Sequence, residues 1–261
     1  MMRTGPRFMV AGATGALALS ACGSSGSPAP SATRDAMSGS ITVFAASSLT
    51  SAFNAAEKGL EVDHPGFKAS YSYGSSQALV TQITNSAPAD VIATANTSTM
   101  QQLVTAGLVE TPVPFCKNEL EIIVAPGNPK NITSLADLAN PGLAVVLADP
   151  SVPVGSYSAL ALKRAGITLT PKSLQLDDAE VVEQVASGNA DAALVFVTDV
   201  VGASGKVTGV PIPDAQNVIG TYEIAALKSS SNLTAADAFV TEVVSGSVHA
   251  ALLTAGFLPP S

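Results

Sequence analysis

Small hydroxyl residues stand at three places where an apolar stretch gives way to a helical pattern: VFAASSL (43–49), YSYGSSQAL (71–79) and VVLADPSVPVGSYSAL (145–160). Hydroxyl side chains are common helix N-caps because they satisfy the free N–H groups of a first turn. The same place also suits an anion, because free N–H groups and the positive end of the helix dipole meet there. These stretches contain neither Arg nor Lys. An anion held at them would be bound by neutral donors and dipoles alone.

Two glycines belong to these stretches, Gly74 in the second and Gly155 in the third. A glycine lacks the side chain that would hold a ligand away from the backbone, so both positions favour a close approach. The alternative is that the three places are independent N-caps that share no ligand. The pattern of residues leaves both interpretations open.

The hydroxyl residues lie within a longer alternation of strand-like and helix-like segments that runs from Ile41 onward. Short apolar segments such as ITVFAA, ADVIATA and DAALVFV are typical of strands, and the segments between them repeat their apolar residues at helical spacing. This order predicts an α/β fold with mainly parallel sheets flanked by helices. Ligands of such sheets bind beyond the carboxyl ends of the strands, where the hydroxyl residues stand.

The N-terminal residues have the organisation of an export signal. Two arginines precede the apolar run 8–20, which is too short to span a bilayer and predicts a signal peptide over 1–21. The run ends in LSAC, which resembles the lipobox of bacterial lipoproteins, and the resemblance implies that Cys22 carries a lipid. The alternative is a cysteine that merely follows the signal. Residues 22–39 are rich in Gly, Ser and Pro and predict a flexible tether. The protein is therefore expected at the outer face of the cytoplasmic membrane, held by its lipid alone.

Composition excludes several classes of partner. Twenty acidic and twelve basic residues give a net charge of −8, which argues against nucleic acid. With Cys22 lipidated, Cys116 has no cysteine to pair with. The two histidines, His64 and His249, belong to no Cys/His cluster, so a zinc site is not expected.

Enzymatic activity is also not expected. A serine hydrolase needs a nucleophile on a sharp turn and a histidine base, and the sequence shows no such pair. The segment GASGKV (202–207) lacks the spacing of a phosphate-binding loop. We therefore predict a binding protein that carries no cofactor.

Five segments resemble, in order and spacing, the molybdate-binding proteins of bacterial ABC importers, the ModA family. The resemblance covers 40–261 and implies a type II periplasmic-binding-protein fold, in which two α/β lobes joined by two crossing strands close on a tetrahedral oxyanion. It places 40–119 plus 224–261 in the first lobe and 120–223 in the second. The segments are ITVFAASSLTSAF, SYGSSQALVTQI, APADVIATA, ADPSVPVGSY and SGNADAALVFVTDV.

The same resemblance implies the residues of the oxyanion site. Ser48 and Ser76 match the hydroxyl ligands of the family, and Val154 matches a backbone N–H ligand. A second backbone N–H falls on Asp178, or on Ala179 if the alignment takes a gap. Molybdenum would thus be held as molybdate through Ser48, Ser76, Val154 and Asp178.

One position departs from the family pattern. A tyrosine hydroxyl usually completes the site, and the matching residue here is Phe196, which has no donor. Asp178 offers one replacement, as a protonated carboxyl that donates a hydrogen bond. Alternatively its side chain points to solvent or caps its own helix, and only its N–H contributes.

The function implied is a monomeric solute-binding lipoprotein that captures molybdate and tungstate and delivers them to the membrane permease of an ABC importer. The alternative is a binding protein for another tetrahedral oxyanion, sulfate or phosphate. Sulfate is the hardest to exclude, because it too is a fully deprotonated tetrahedral dianion.

Overall fold

The computed structural model describes residues 37–260, so the predicted signal peptide, Cys22 and most of the predicted tether lie outside the described residues. Strands and helices alternate along this part of the chain, as predicted. The strands described are β1 (Gly39–Ala46), β2 (Phe67–Gly74), β3 (Val91–Thr94), β4 (Val113–Val124), β5 (Val145–Ala148), β6 (Ser173–Gln175), β7 (Ala192–Phe196), β8 (Thr208–Pro211) and β9 (Ile219–Ala226).

The helices lie mostly between the strands, with two at the C-terminus. Two 3₁₀ turns, Ser47–Leu49 and Leu135–Ala139, complete the regular structure of the described residues. The α-helices described are α1 (Thr50–Asp63), α2 (Ser76–Thr84), α3 (Thr97–Thr105), α4 (Pro153–Arg164), α5 (Asp178–Ala186), α6 (Val197–Gly202), α7 (Leu233–Ser245) and α8 (Ser247–Thr254).

The described strands form two mixed sheets. In the first, β1 pairs in parallel with β2 and β3, and β9 runs antiparallel between β3 and β4. In the second, β5 pairs in parallel with β6 and β7, while β4 runs antiparallel to β7 and β8. Each sheet thus has one strand that opposes the others. The prediction of an α/β fold with two mixed, mainly parallel sheets is confirmed.

Strand β4 joins the two sheets. Its residues 113–119 pair with β9, and its residues 120–124 pair with β7 and β8. The strand therefore changes neighbours between Glu119 and Leu120 while its backbone continues without a break.

Helices cover both faces of the first sheet, as the alternation of side chains in β1 requires. Val43 points into a core with Phe53 of α1 and Phe239 of α7. Its neighbour Phe44 points the other way, into a core with Leu79 of α2 and other residues of α2 and α3. Both strand residues are buried.

The structure differs from the sequence prediction at several boundaries. Met37 is buried in the core and Gly39 already belongs to β1, so ordered chain begins before residue 40. The short elements β6, β8 and α6 were not predicted, because stretches of three to six residues carry too little periodicity.

Within residues 37–260, no helix is long and apolar enough to cross a membrane. The same part of the chain contains no group of three or more His, Cys, Asp or Glu residues that could hold a metal ion. Cys116 lies buried in β4 as a free thiol, and burial raises its pKa.

Candidate functional site

A small cavity lies beyond the carboxyl ends of strands from both sheets, where α/β folds bind ligands. Its volume is about 10 Å³, close to the room that a single water molecule needs. The residues that line it are Ala46, Ser47, Gly74, Ser75, Ser76, Ala95, Val152, Pro153, Val154, Asp178 and Phe196.

Four helical N-termini converge on this cavity. One is the start of the 3₁₀ segment at Ser47. The other three are the first turns of α2 at Ser76, of α4 at Val154 and of α5 at Asp178. Each brings unpaired N–H groups and the positive end of a helix dipole. No Lys or Arg is among the lining residues. The arrangement suits a small anion held by dipoles and neutral donors.

Ser76 is placed to donate into the cavity. Its side chain is buried, and its Oγ accepts a hydrogen bond from the N–H of Ala95 at 3.0 Å. The hydroxyl proton therefore remains available for another acceptor. The adjacent Ser75 has a different task, because its Oγ caps α2 by accepting from the N–H of Ala78 at 3.3 Å.

Ser47 lines the cavity, whereas Ser48 does not. The Ser47 hydroxyl donates to Oδ2 of Asp177 at 2.6 Å, so its proton is already engaged. Ser48 is buried behind it, with its Oγ 2.9 Å from the hydroxyl of Tyr222. A small rearrangement of the 3₁₀ turn is needed before the Ser48 hydroxyl contacts a species in the cavity.

A buried network surrounds the bond between Ser48 and Tyr222. Oδ1 of Asn118 accepts from the N–H of Glu119, which leaves Nδ2 of Asn118 to donate to the Tyr222 hydroxyl at 3.3 Å. Either hydroxyl of the Ser48–Tyr222 pair can donate to the other.

Val154 is the second residue of α4, and it is buried in the cavity wall. Its neighbour Gly155 is required by packing: a Cβ added there would lie 2.0 Å from the carbonyl oxygen of Asp149. Gly155 thus brings the start of α4 against the end of β5, a different role from the ligand approach predicted for it. A Cβ at Gly74 would meet only ordinary contacts, the nearest being 3.7 Å from Leu79.

The first turn of α5 directs its N–H groups at nearby carboxyls. Ala179 donates its N–H to Oδ1 of Asp177 at 2.9 Å and to Oδ1 of Asp178 at 3.1 Å. The N–H of Asp178 interacts with the carboxyl of its own side chain. The Asp178 carboxyl does not point to solvent, since the residue is 7% exposed and lines the cavity.

Three carboxyl groups, those of Asp177, Asp178 and Asp199, gather beside the cavity, and burial raises the pKa of the last two. Burial raises the pKa of Asp178 well above its usual range, and Asp199 and Asp177 raise it further. Burial also raises the pKa of Asp199 to about 7, although the N–H of Phe196, which donates to its Oδ2 at 3.0 Å, acts in the opposite direction. Each neutral form is favoured because the site offers no compensating cation.

Phe196 lies in the cavity wall, so the departure from the family pattern falls inside the site. Its ring packs edge-on between those of Tyr157 and Tyr222, with centroids 6.0 and 5.8 Å away. The hydroxyl of Tyr222 is bonded to Ser48 and Asn118.

Sequence reasoning missed three residues around the site: Asp177, Asn118 and Tyr222. Asp177 carried a usable signal, because an Asp just before a helical pattern is a typical N-cap. Asn118 and Tyr222 gave none, since each lies in a strand that looks like plain core.

Comparisons with known proteins identify the family of this chain. Residues 41–258 match the family model described as bacterial extracellular solute-binding protein. The chain is 41% identical over 244 residues to the molybdate-binding protein ModA of Mycobacterium tuberculosis, covering 93% of each chain. The chain belongs to the ModA family of bacterial extracellular solute-binding proteins. ModA proteins bind and carry a solute and are not enzymes, so the predictions of no enzymatic activity and no cofactor are confirmed.

Two solved structures show that the fold is that of the periplasmic binding proteins, as the ModA resemblance implied. The periplasmic molybdate-binding protein of Azotobacter vinelandii is 19% identical with a TM-score of 0.74, and the match covers 85% of this chain and 100% of that one. The sulfate-binding protein SubI of Mycobacterium tuberculosis is 21% identical with a TM-score of 0.73, covering 85% and 87%. Because both share the fold, the fold alone does not select the anion.

Proposed function

We propose that this chain captures molybdate, and also tungstate, in the cavity and delivers it to the permease of an ABC importer. The observation that carries the proposal is the convergence of four helical N-termini on a small cavity whose wall contains no Lys or Arg. Ser76, Val154 and Asp178 lie in that wall, and Ser48 lies just behind it. The 41% identity to a molybdate-binding protein supports molybdate as the anion.

Fully deprotonated dianions suit this set of donors. Molybdate and tungstate carry no proton at neutral pH, so each of their oxygens accepts hydrogen bonds and none needs an acceptor from the protein. Helix N–H groups and the Ser76 proton supply donors only. Sulfate has the same charge and shape, and size distinguishes it from the two larger anions.

Thermal unfolding of the purified protein tests the anion. At a free concentration one hundred times its Kd, a ligand that binds only the folded state stabilises it by about 2.7 kcal/mol. We expect molybdate and tungstate to raise the Tm strongly, and sulfate and phosphate to raise it much less at equal concentration. A larger shift with sulfate or phosphate than with molybdate contradicts the proposal.

We propose that the two sheets belong to two lobes that close on the anion, with 40–119 plus 224–261 in one and 120–223 in the other. The change of pairing partner on β4 between Glu119 and Leu120 supports the boundary after residue 119. The other boundary, after residue 223, falls within β9, whose residues 219–222 still pair with the first part of β4. Helix α2 packs against β1, whereas α4 and α5 pack against β5 and β7. The four helical N-termini therefore come from both proposed lobes.

We propose that the protein is a monomeric lipoprotein, anchored through Cys22 and a tether that ends before Met37. The LSAC motif at 19–22 supports the anchor. We expect Cys22→Ser to move the protein from the membrane to the soluble fraction without changing its affinity for molybdate, because the tether separates the anchor from the site. Cell fractionation with calorimetry on the released protein measures both. A variant that stays fully membrane-bound argues for an uncleaved signal peptide.

A further inference from the structure

Asp178 is the acidic side chain in the wall of the proposed oxyanion cavity. It is more than nine-tenths buried, and one of its oxygens accepts from the N–H of Ala179. An ionised carboxylate has no proton to donate, so beside a dianion it would offer only repulsion. The lining residues include no Lys or Arg whose charge would offset the repulsion between a carboxylate and the dianion.

Asp177 and Asp178 differ in the hydrogen bonds that their carboxyl oxygens accept. The two oxygens of Asp177 accept hydrogen bonds, Oδ2 from the Ser47 hydroxyl at 2.6 Å and Oδ1 from the N–H of Ala179 at 2.9 Å. The charge of the neighbouring Asp177 raises the pKa of Asp178. Asp177 is thus held by these bonds without lining the cavity, whereas Asp178 lines the cavity itself.

The other titratable groups that act on Asp178 are also acids. Asp199 faces it from α6, and the Tyr222 hydroxyl faces both carboxyls from β9. Burial and the charges of Asp199 and Asp177 raise the pKa of Asp178, and a bound dianion adds to the same effect. All of these influences act in one direction.

We propose that Asp178 contacts the bound oxyanion as a neutral carboxylic acid and donates a hydrogen bond to it. The inference rests on the proposed function, and it makes Asp178 a residue that favours oxyanions without a proton of their own. Because the donating form is the protonated one, affinity is constant at low pH. It falls as pH rises and Asp178 of the free protein ionises, by up to tenfold per pH unit.

Calorimetric titration with molybdate between pH 6 and 9.5 tests the proposal on the wild-type protein, Asp178→Asn and Asp178→Ala. We expect wild-type affinity to fall toward the alkaline end of this range, as Asp178 loses its proton. Asp178→Asn keeps an N–H donor of similar shape, so it should bind within about threefold of wild type at pH 6 and show no pH dependence. Asp178→Ala should bind about ten- to a hundredfold more weakly at pH 6, since it loses a charge-assisted hydrogen bond.

Glu180→Gln is the matched control, because Glu180 lies exposed in the same helical turn and undergoes the same replacement of a carboxyl by an amide. It should keep both the wild-type affinity and the wild-type pH profile. Thermal unfolding of each variant shows that it is folded under the conditions of the titration.

Several results would overturn the proposal. They are a flat wild-type profile, equal affinities of wild type and Asp178→Ala at pH 6, and parallel profiles of wild type and Asp178→Asn, which would assign the titration to another group. Tighter binding of phosphate than molybdate, lost in Asp178→Asn, would show a carboxylate that accepts a proton from the ligand. Absence of molybdate binding by the wild type at every pH would overturn the proposed function itself, and with it this inference.

Discussion

Replacing Gly155 by alanine is expected to lower the free energy of unfolding by about 1–3 kcal/mol and to weaken molybdate binding. The new Cβ would lie 2.0 Å from the carbonyl oxygen of Asp149 and 2.6 Å from that of Ala148. Both neighbours are backbone atoms, so the first turn of α4 has to move away from β5. That movement displaces the N–H of Val154 from the cavity. Urea denaturation and calorimetric titration measure the two losses.

Gly74→Ala is the control for this prediction, since Gly74 also lines the cavity and its added Cβ would come no nearer than 3.7 Å to another residue. Gly74→Ala should lower the free energy of unfolding by much less than Gly155→Ala does. Equal stability of the two variants would contradict the role assigned to the contact between α4 and β5.

Ser76→Ala is expected to lower molybdate affinity about ten- to a hundredfold, because a charge-assisted hydrogen bond to the dianion is lost. It should also lower stability by about 1–3 kcal/mol, since the buried N–H of Ala95 loses its acceptor. Calorimetric titration gives the first quantity and urea denaturation gives the second.

Ser75→Ala is the control for Ser76→Ala, because it removes a neighbouring hydroxyl that is not assigned as a donor to the anion. Ser75 caps α2 through the N–H of Ala78, so its removal should cost about 0.5–2 kcal/mol of stability while affinity stays within a few-fold of wild type. If Ser75→Ala weakened molybdate binding as much as Ser76→Ala, the assignment of Ser76 as the donor would be wrong.

The fold class was predictable because its signal is repeated along the whole chain. Strands such as β1 and β7 are short apolar runs between helical patterns, and each repetition supports the same α/β interpretation. The strand β6 and the helix α6 were not predicted. A strand of three residues and a helix of six residues each contain fewer than two repeats of their own apolar pattern.

The site was predictable only in part. Ser76, Val154 and Asp178 stand within six residues of the ends of strands β2, β5 and β6. The carboxyl ends of parallel strands meet at one edge, so the structure brings these residues to one cavity. The placement of Ser48 behind Ser47 depends on the twist of a 3₁₀ turn and on a hydroxyl from distant β9. No local pattern encodes a bond between residues 174 positions apart, so its role as a ligand stays a prediction.

The absence of a cation from the cavity wall has a consequence for unloading. An anion held by an arginine leaves only when a strong ion pair is broken, whereas this cavity owes its attraction to four helical N-termini that happen to point at one spot. Two of them, at Ser47 and Ser76, follow strands of the first sheet, and two, at Val154 and Asp178, follow strands of the second. Drawing the sheets apart by a few ångströms leaves two N-termini on each side and lets water in between. Under the proposed function, separating the two halves would release the anion without any chemical change in the protein or the anion.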